Sequence, residues 1–119
     1  MAGISTHVLD SLTGRLGAGM RIDFSMRDKD GGWKVVKSMT TNADGRTDQP
    51  VLTAEAAAVG EYELNFYIAD FYDRLGAGLT DPMFVDRIVP LRFAIFDSKQ
   101  HYHVPMLCTP WGCSTYRGS

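Results

Sequence analysis

The chain has 119 residues, with 12 Lys+Arg against 14 Asp+Glu, a net charge of −2, 45% hydrophobic and 22% charged residues. At this length folding buries roughly two-thirds of the accessible surface, enough for one core and not two, so residues 1–119 read as a single domain. A near-neutral balance with no run of Lys or Arg lacks the field that nucleic acid or an anionic membrane requires, and both are set aside as partners. Apolar stretches are short and broken by charge, and the opening MAGISTHVLD has neither a basic nor an apolar leader region. A soluble, cytoplasmic protein without an export signal is therefore expected, although a peroxisome-like or periplasmic compartment stays open. The two cysteines, Cys108 and Cys113, fit neither CxxC nor a metal-ligand quartet, which favours a reducing compartment and leaves a cross-strand disulfide open.

The dominant pattern is period two, bounded by Gly, Asp, Asn and Pro clusters, as in an antiparallel sandwich or barrel. From Ile4 to Asp10, Ile4, Thr6 and Val8 face one way and Ser5, His7 and Leu9 the other. Arg21 to Arg27 alternates again and, with Trp33 to Thr40 after the DKDGG turn, predicts a hairpin. Asn42, Asp44 and Gly45 suit a tight reversal, which sets Arg46 just past a turn. Glu61 to Ile68 reads as a strand, followed by one short helix with Asp70 as N-cap, Arg74 in its last turn and Gly76 as its stop. Thr53 to Gly60 has the composition for a helical turn but lacks an apolar stripe. Arg87 to Phe96 is a strand that Pro90 consigns to a sheet edge or a bulge. His101 to Thr109 and Cys113 to Arg117 form the last hairpin around PWG. The string RLGAG occurs at Arg15–Gly19 and Arg74–Gly78, but its unlike flanks indicate shared turn chemistry rather than duplication.

Three histidines carry most of the chemical interest. His101 and His103 share a face with Pro105, Leu107 and Thr109, opposite Tyr102, Val104, Met106 and Cys108. His7 likewise leaves the face of Ile4 and Val8. If these two strands are neighbours, His7 and His103 meet on an exposed face as two groups titrating near neutral pH. The alternatives are plain surface histidines, or a three-histidine zinc site with an open water position; no Asp or Glu flanks the histidines as an outer partner. Arg46 projects from a turn mouth, where it is either a solvated turn residue or a planar fork for carbonyl or carboxylate groups. Trp33, Trp111, Phe66, Phe93 and Phe96 read as core or interface aromatics. No phosphate-cradling glycine loop, GxSxG elbow or catalytic-cysteine context occurs.

Four segments in order, ISTHVLD, TNADGR, HYHVP and the terminal STYRGS, together resemble the 5-hydroxyisourate hydrolases, the transthyretin-related enzymes of purine breakdown. The resemblance covers essentially the whole chain. Transthyretin, the hormone carrier, shares the fold but lacks these histidines, this arginine and this terminal tetrapeptide. The resemblance implies an all-β, two-sheet antiparallel sandwich of about eight strands with one short helix near 70–76, assembled as a homotetramer, a dimer of dimers with active sites in the channel between them. Carried over by motif, the catalytic set is His7, Arg46, His103 and Ser119, with His101, Tyr116 and Arg117 at the substrate.

The implied reaction is metal-free and cofactor-free hydrolysis of a ring amide in 5-hydroxyisourate, giving a ureidoimidazoline. His7 and His103 would deprotonate the attacking water, Arg46 would orient the substrate and stabilise the developing oxyanion, and Ser119 would position water or relay a proton. The chain departs from the family at Cys113, where an aromatic is usual, and at Cys108 and Thr109, which replace Leu and Ser; all three lie outside the catalytic motifs. A ligand carrier without turnover and a three-histidine metal protein are the competing expectations.

Overall fold

The computed structural model describes residues 3–76 and 84–118. In chain order it contains β1 (Gly3–Asp10), β2 (Arg15–Leu16), β3 (Arg21–Arg27), β4 (Trp33–Thr40), β5 (Gly60–Phe66), α1 (Ile68–Leu75), β6 (Val89–Ile95), β7 (His101–Thr109) and β8 (Gly112–Thr115). They form two four-stranded sheets, ordered β2-β1-β7-β8 and β4-β3-β5-β6. The strands are those expected from period two, with ends moved by a few residues and with the two-residue β2 added. Thr53 to Gly60 forms a single turn, closed by the Ala56 N–H on the Thr53 carbonyl at 3.1 Å, rather than a helix.

One pairing departs from the antiparallel expectation. β1 and β7 run parallel, with Ile4 opposite Tyr102, Ser5 opposite His103 and His7 opposite Pro105. A parallel pair needs a long connection, and here the whole second sheet and α1 supply it. Alternation tells which side chains share a face, but both strand directions satisfy the same alternation.

The core lies between the sheets. Ile4, Val8, Tyr102, Val104, Met106 and Cys108 from one meet Ile22, Phe24, Tyr62, Leu64 and Phe66 from the other, and the Phe24 and Tyr62 rings stack with centroids 5.6 Å apart. Each large apolar side chain removed from water contributes roughly 1.5–3 kcal/mol. Pro90 sits in β6, an edge strand, where a missing N–H costs no ladder bond.

Helix α1 begins two residues before the expected Asp70 cap. Tyr67 occupies the cap position without a side-chain cap bond, and Asp70 instead lies in the first turn, where a carboxylate suits the helix dipole. Burial decides this start, because Ile68, Phe71 and Tyr72 form the buried stripe at i, i+3 and i+4. Gly76 ends the helix as expected, in the left-handed conformation at φ 61°. The helix ties to the first sheet through the Tyr72 hydroxyl, 2.5 Å from Asp10 Oδ1 and 2.8 Å from the Cys108 carbonyl.

Cys108 and Cys113 stand directly opposite each other on β7 and β8 as free thiols. Burial pushes the Cys108 thiol up to about 11, which leaves it protonated and unreactive. Among the described residues, no helix is long and apolar enough to cross a membrane.

Leu64 is fully buried at the centre of β5. Leu64→Ala is expected to destabilise the chain by about 2–5 kcal/mol, read as a lower midpoint in urea unfolding; a loss under about 1 kcal/mol would contradict the packed core described.

Candidate active site

The site begins with the outward face of β1 and β7. Because Ser5 stands opposite His103 in a parallel register, His7 projects on the same face two residues further along. His7 Nδ1 and His103 Nε2 lie 2.8 Å apart, with ring centroids at 4.9 Å and planes inclined by 24°. The other nitrogen of His103, Nδ1, is 2.7 Å from Ser5 Oγ, which is also 2.8 Å from His101 Nε2. All three histidines are thus linked, and the linking group is a serine rather than the carboxylate that usually supports an imidazole. Period two places Ser5 on the face of His7, so the signal for it was present, but nothing in the local pattern distinguishes it from a solvent-facing serine.

The NADGR turn supplies the third wall. Asn42 is its hub: its side-chain oxygen accepts the N–H groups of Asp44 at 2.9 Å and Arg46 at 3.2 Å, and its amide donates to Asp48 at 3.0 Å. Gly45, at φ 73°, adopts a backbone conformation suited to glycine and brings its carbonyl to the Val8 N–H at 2.8 Å. A side chain at Gly45 would run into the Val8 carbonyl. This close approach makes the bridge between His7 and Arg46 and carries the guanidinium to the imidazoles. Among the described residues the Arg46 side chain makes no hydrogen bond or ion pair, and it lines an open cleft of about 270 Å³ with Ser5, Thr6, Asp48, Gln49 and His101.

The C-terminal segment closes the far side. Pro105 has no N–H to give to β8, and the ladder ends at Thr115. The chain rejoins β7 at Gly118, whose N–H donates to the His103 carbonyl at 2.7 Å. Pro105 shares the histidine face by alternation but is buried, and a Cβ on Gly118 would lie 3.3 Å from its ring.

The electrostatics favour free bases. Partial burial and then the positive field of Arg46 lower His7 below the usual 6.5, and His103 is lowered by burial, then by His7, Arg46 and His101. The same geometry weighs against zinc. A tetrahedral zinc takes nitrogens at about 2.0–2.1 Å, and therefore roughly 3.3 Å from one another, whereas the facing nitrogens of His7 and His103 are at hydrogen-bond distance. Among the described residues no group of three or more His, Cys, Asp or Glu has metal-holding geometry.

Of the residues singled out from sequence, His7, Arg46, His101 and His103 come together. Tyr116 and Arg117 do not: both line an apolar groove of about 210 Å³ with Leu91, Phe93, Phe96 and Tyr102. The Arg117 guanidinium is engaged by the Gln100 side chain at 2.7 Å and the His101 carbonyl at 3.2 Å, and it sits 4.3 Å from the Tyr102 ring centroid. The ladder breaks at Pro105, and between Thr115 and Gly118 the chain sets Tyr116 and Arg117 along this groove, with Arg117 reaching the His101 backbone rather than its ring. Ser119 lies outside the described residues.

A two-sheet sandwich with this strand order, bearing an imidazole pair on one sheet and, from the adjoining turn, a guanidinium without a partner among the described residues, defines a transthyretin-like protein with a polar reaction centre. The chain belongs to the HIUase/Transthyretin family, whose pattern matches residues 4–118. It is 44% identical over 116 residues to 5-hydroxyisourate hydrolase 2 of Rhizobium meliloti, covering 98% of this chain and 95% of the relative. It is 43% identical to the 5-hydroxyisourate hydrolase of Ralstonia nicotianae over the full length of both. Among solved structures, the 5-hydroxyisourate hydrolase of Klebsiella pneumoniae superposes with a TM-score of 0.77 at 31% identity, covering 98% of each chain. Sea bream transthyretin in complex with thyroxine gives a TM-score of 0.85 at 19% identity, covering 97% of this chain and 93% of its own, a likeness of fold alone.

A Cβ on Gly118 would fall 2.9 Å from His103 Cδ2, closer than real contacts allow. Gly118→Ala is therefore expected to displace the His103 ring and change its nuclear magnetic resonance signals while the core stays folded; unchanged His103 signals would mean that the terminal segment does not press on the site.

Proposed function

We propose that this chain hydrolyses 5-hydroxyisourate, opening the six-membered ring at a ring amide to give 2-oxo-4-hydroxy-4-carboxy-5-ureidoimidazoline in urate breakdown. The observation that carries the reading is the His7–His103 pair, mutually bonded at 2.8 Å and held toward the neutral form beside the Arg46 guanidinium, which has no partner among the described residues. The names of the curated relatives supply the substrate.

Both nitrogens of His103 are engaged, by His7 and by Ser5. Among the described residues the nitrogen of the pair without a partner is His7 Nε2, so His7 takes the proton from the water and His103 holds the opposite side of its ring. The water oxygen bonds to the amide carbon, its proton passes to His7 Nε2, and the carbonyl becomes an oxyanion. The Arg46 fork orients the planar ring and stabilises that negative charge. His7 then returns the proton to the departing nitrogen as the C–N bond breaks. A ureido nitrogen is not basic, and the new carboxyl group ionises at neutral pH, releasing one proton per turnover.

Ser119 follows Gly118, which is itself bonded to His103, and we assign it the positioning of the water. The binding of Arg117 to Gln100 and His101 suits Tyr116 and Arg117 to holding the terminal segment in place. The assembly we assign is a homotetramer, a dimer of dimers, which would cover exposed apolar side chains such as Phe96, Trp111 and Tyr116. Neither a metal nor a cofactor enters this mechanism.

The test is to generate 5-hydroxyisourate freshly with urate oxidase and follow its ultraviolet decay, subtracting the spontaneous reaction. Accelerated decay that resists chelator is expected, with His103→Ala slower by about 10²–10⁴-fold and Arg46→Lys slower by about 10²–10³-fold. A folded protein that leaves the decay unchanged would return the chain to the carrier class.

The pH dependence follows from the sign of the shifts. The base works unprotonated, and both imidazoles are lowered from the ordinary 6.5. Activity should therefore persist at pH 6.5 and fall only in more acidic solution; an acid limb centred above 6.5 would contradict the assignment.

A further inference from the structure

Ser5 is bonded to two imidazoles at once, and the mechanism above uses only that it occupies His103 Nδ1. Its hydroxyl has one proton to give and lone pairs with which to accept, and it lies 2.7 Å from His103 Nδ1 and 2.8 Å from His101 Nε2. Together with the His7–His103 bond, this makes one unbranched chain of hydrogen bonds from His7 to the exposed His101, which lines the cleft.

Such a chain has two settings. In one, His7 Nδ1–H donates to His103 Nε2, His103 Nδ1–H donates to Ser5, and Ser5 donates to His101 Nε2. His7 Nε2 then carries a bare lone pair. In the other every bond is reversed, His7 carries its proton on Nε2, and it cannot act as a base. Imidazole in water prefers to carry its proton on Nε2, a preference that the second setting meets at all three rings; the first setting, which the base requires, is open only while His103 Nδ1–H has an acceptor, and Ser5 Oγ is that acceptor.

We propose that Ser5 is the positioning residue of the base: it couples the tautomers of His103 and His7 to that of His101, opens the setting in which His7 Nε2 is bare, and passes the positive charge of the base to the exposed His101. The proposal rests on the hydrolase reading of the same site. The step balances at every atom. The water O–H bond breaks and its proton bonds to His7 Nε2; the Nδ1 proton of His7 moves to His103 Nε2; the Nδ1 proton of His103 moves to Ser5 Oγ; the hydroxyl proton of Ser5 moves to His101 Nε2. His101, now protonated on both nitrogens, holds the charge in solvent. When His7 Nε2–H protonates the departing nitrogen, all of these protons move back and the chain is restored.

The arrangement answers a physical difficulty. A cation on His7 or His103 would sit partly desolvated beside Arg46, which disfavours it. At His101 the charge is hydrated. The charged groups around His101 are Arg46 and Asp48 across the cleft and Arg117, whose guanidinium bonds the His101 carbonyl.

The first measurement is of tautomers, by ¹⁵N resonances of histidine-labelled protein. Wild type and Ser5→Thr are expected to show His7 and His103 protonated on Nδ1, and Ser5→Ala to shift both toward Nε2. Finding His7 protonated on Nε2 in wild type would overturn the proposal. The second is kinetic. Ser5→Ala should lower kcat by at least about tenfold, with KM within about threefold, while Ser5→Thr restores most of the rate. Because Ser5 and His101 act in series, His101→Ala should cost little once Ser5 is Ala. Equal losses in Ser5→Thr and Ser5→Ala, or fully additive losses, would reduce Ser5 to a structural role. Wild type with the expected tautomers but no turnover of 5-hydroxyisourate would overturn the hydrolase reading and not the tautomer assignment.

Discussion

The parallel pairing of β1 with β7 is the constraint on which the rest of the molecule depends. It joins the start of the chain to its penultimate strand, and its register sets Ser5 beside His103 and His7 two residues along the same face. A slip of one residue would turn every side chain of β1 over, putting Ser5 and His7 into the core and Ile4 and Val8 into water. The site is therefore insured by the core. Burial of Ile4, Val8, Tyr102, Val104 and Met106 on the inner face holds the imidazoles in register on the outer one.

Two further segments close on that face, each by a backbone device that a glycine makes possible. The turn built on Asn42 reaches β1 through the Gly45 carbonyl and delivers Arg46, and the terminal segment reaches β7 through the Gly118 N–H. In both cases a Cβ at the glycine would be too close to what it approaches. Pro105 contributes by omission, since a strand that cannot donate there lets its neighbour leave and return. The resulting chemistry is a compromise: the guanidinium that can stabilise negative charge on a substrate also disfavours positive charge on the nearby base. Ser5 and His101 offer that positive charge a way to the surface.

The sandwich itself does not specify chemistry. Sea bream transthyretin, described in complex with thyroxine, shares the architecture at 19% identity, and function in such a fold resides in the side chains presented by one sheet. Here those side chains are three linked imidazoles and a guanidinium, of which His101 and Arg46 line an open cleft, while the separate apolar groove beside Phe93, Phe96 and Tyr116 is lined by none of the histidines.

Much of this was legible in the sequence. Alternation over Ile4–Asp10 and His101–Thr109 placed His7 and His103 off the core face, and the NADGR turn placed Arg46 at a loop mouth, because side-chain direction in a strand and backbone reversal at a turn are local properties. Pro90 marked an edge strand or a bulge for the same reason, and the sheet order makes it an edge. The start of α1 was not legible, since burial of Ile68 outweighed the capping preference of Asp70. Nor were the side-chain bonds of Ser5 or the seating of Tyr116 and Arg117 in the apolar groove, which depend on residues far apart in the chain. The sequence by itself determined which faces are apolar, where the chain turns, and which motifs it shares with its family. The tertiary structure alone decided that β1 and β7 run parallel and which imidazole nitrogens face one another, because strand direction and hydrogen-bond partners across some 96 residues are set by packing between sheets and not by any local pattern.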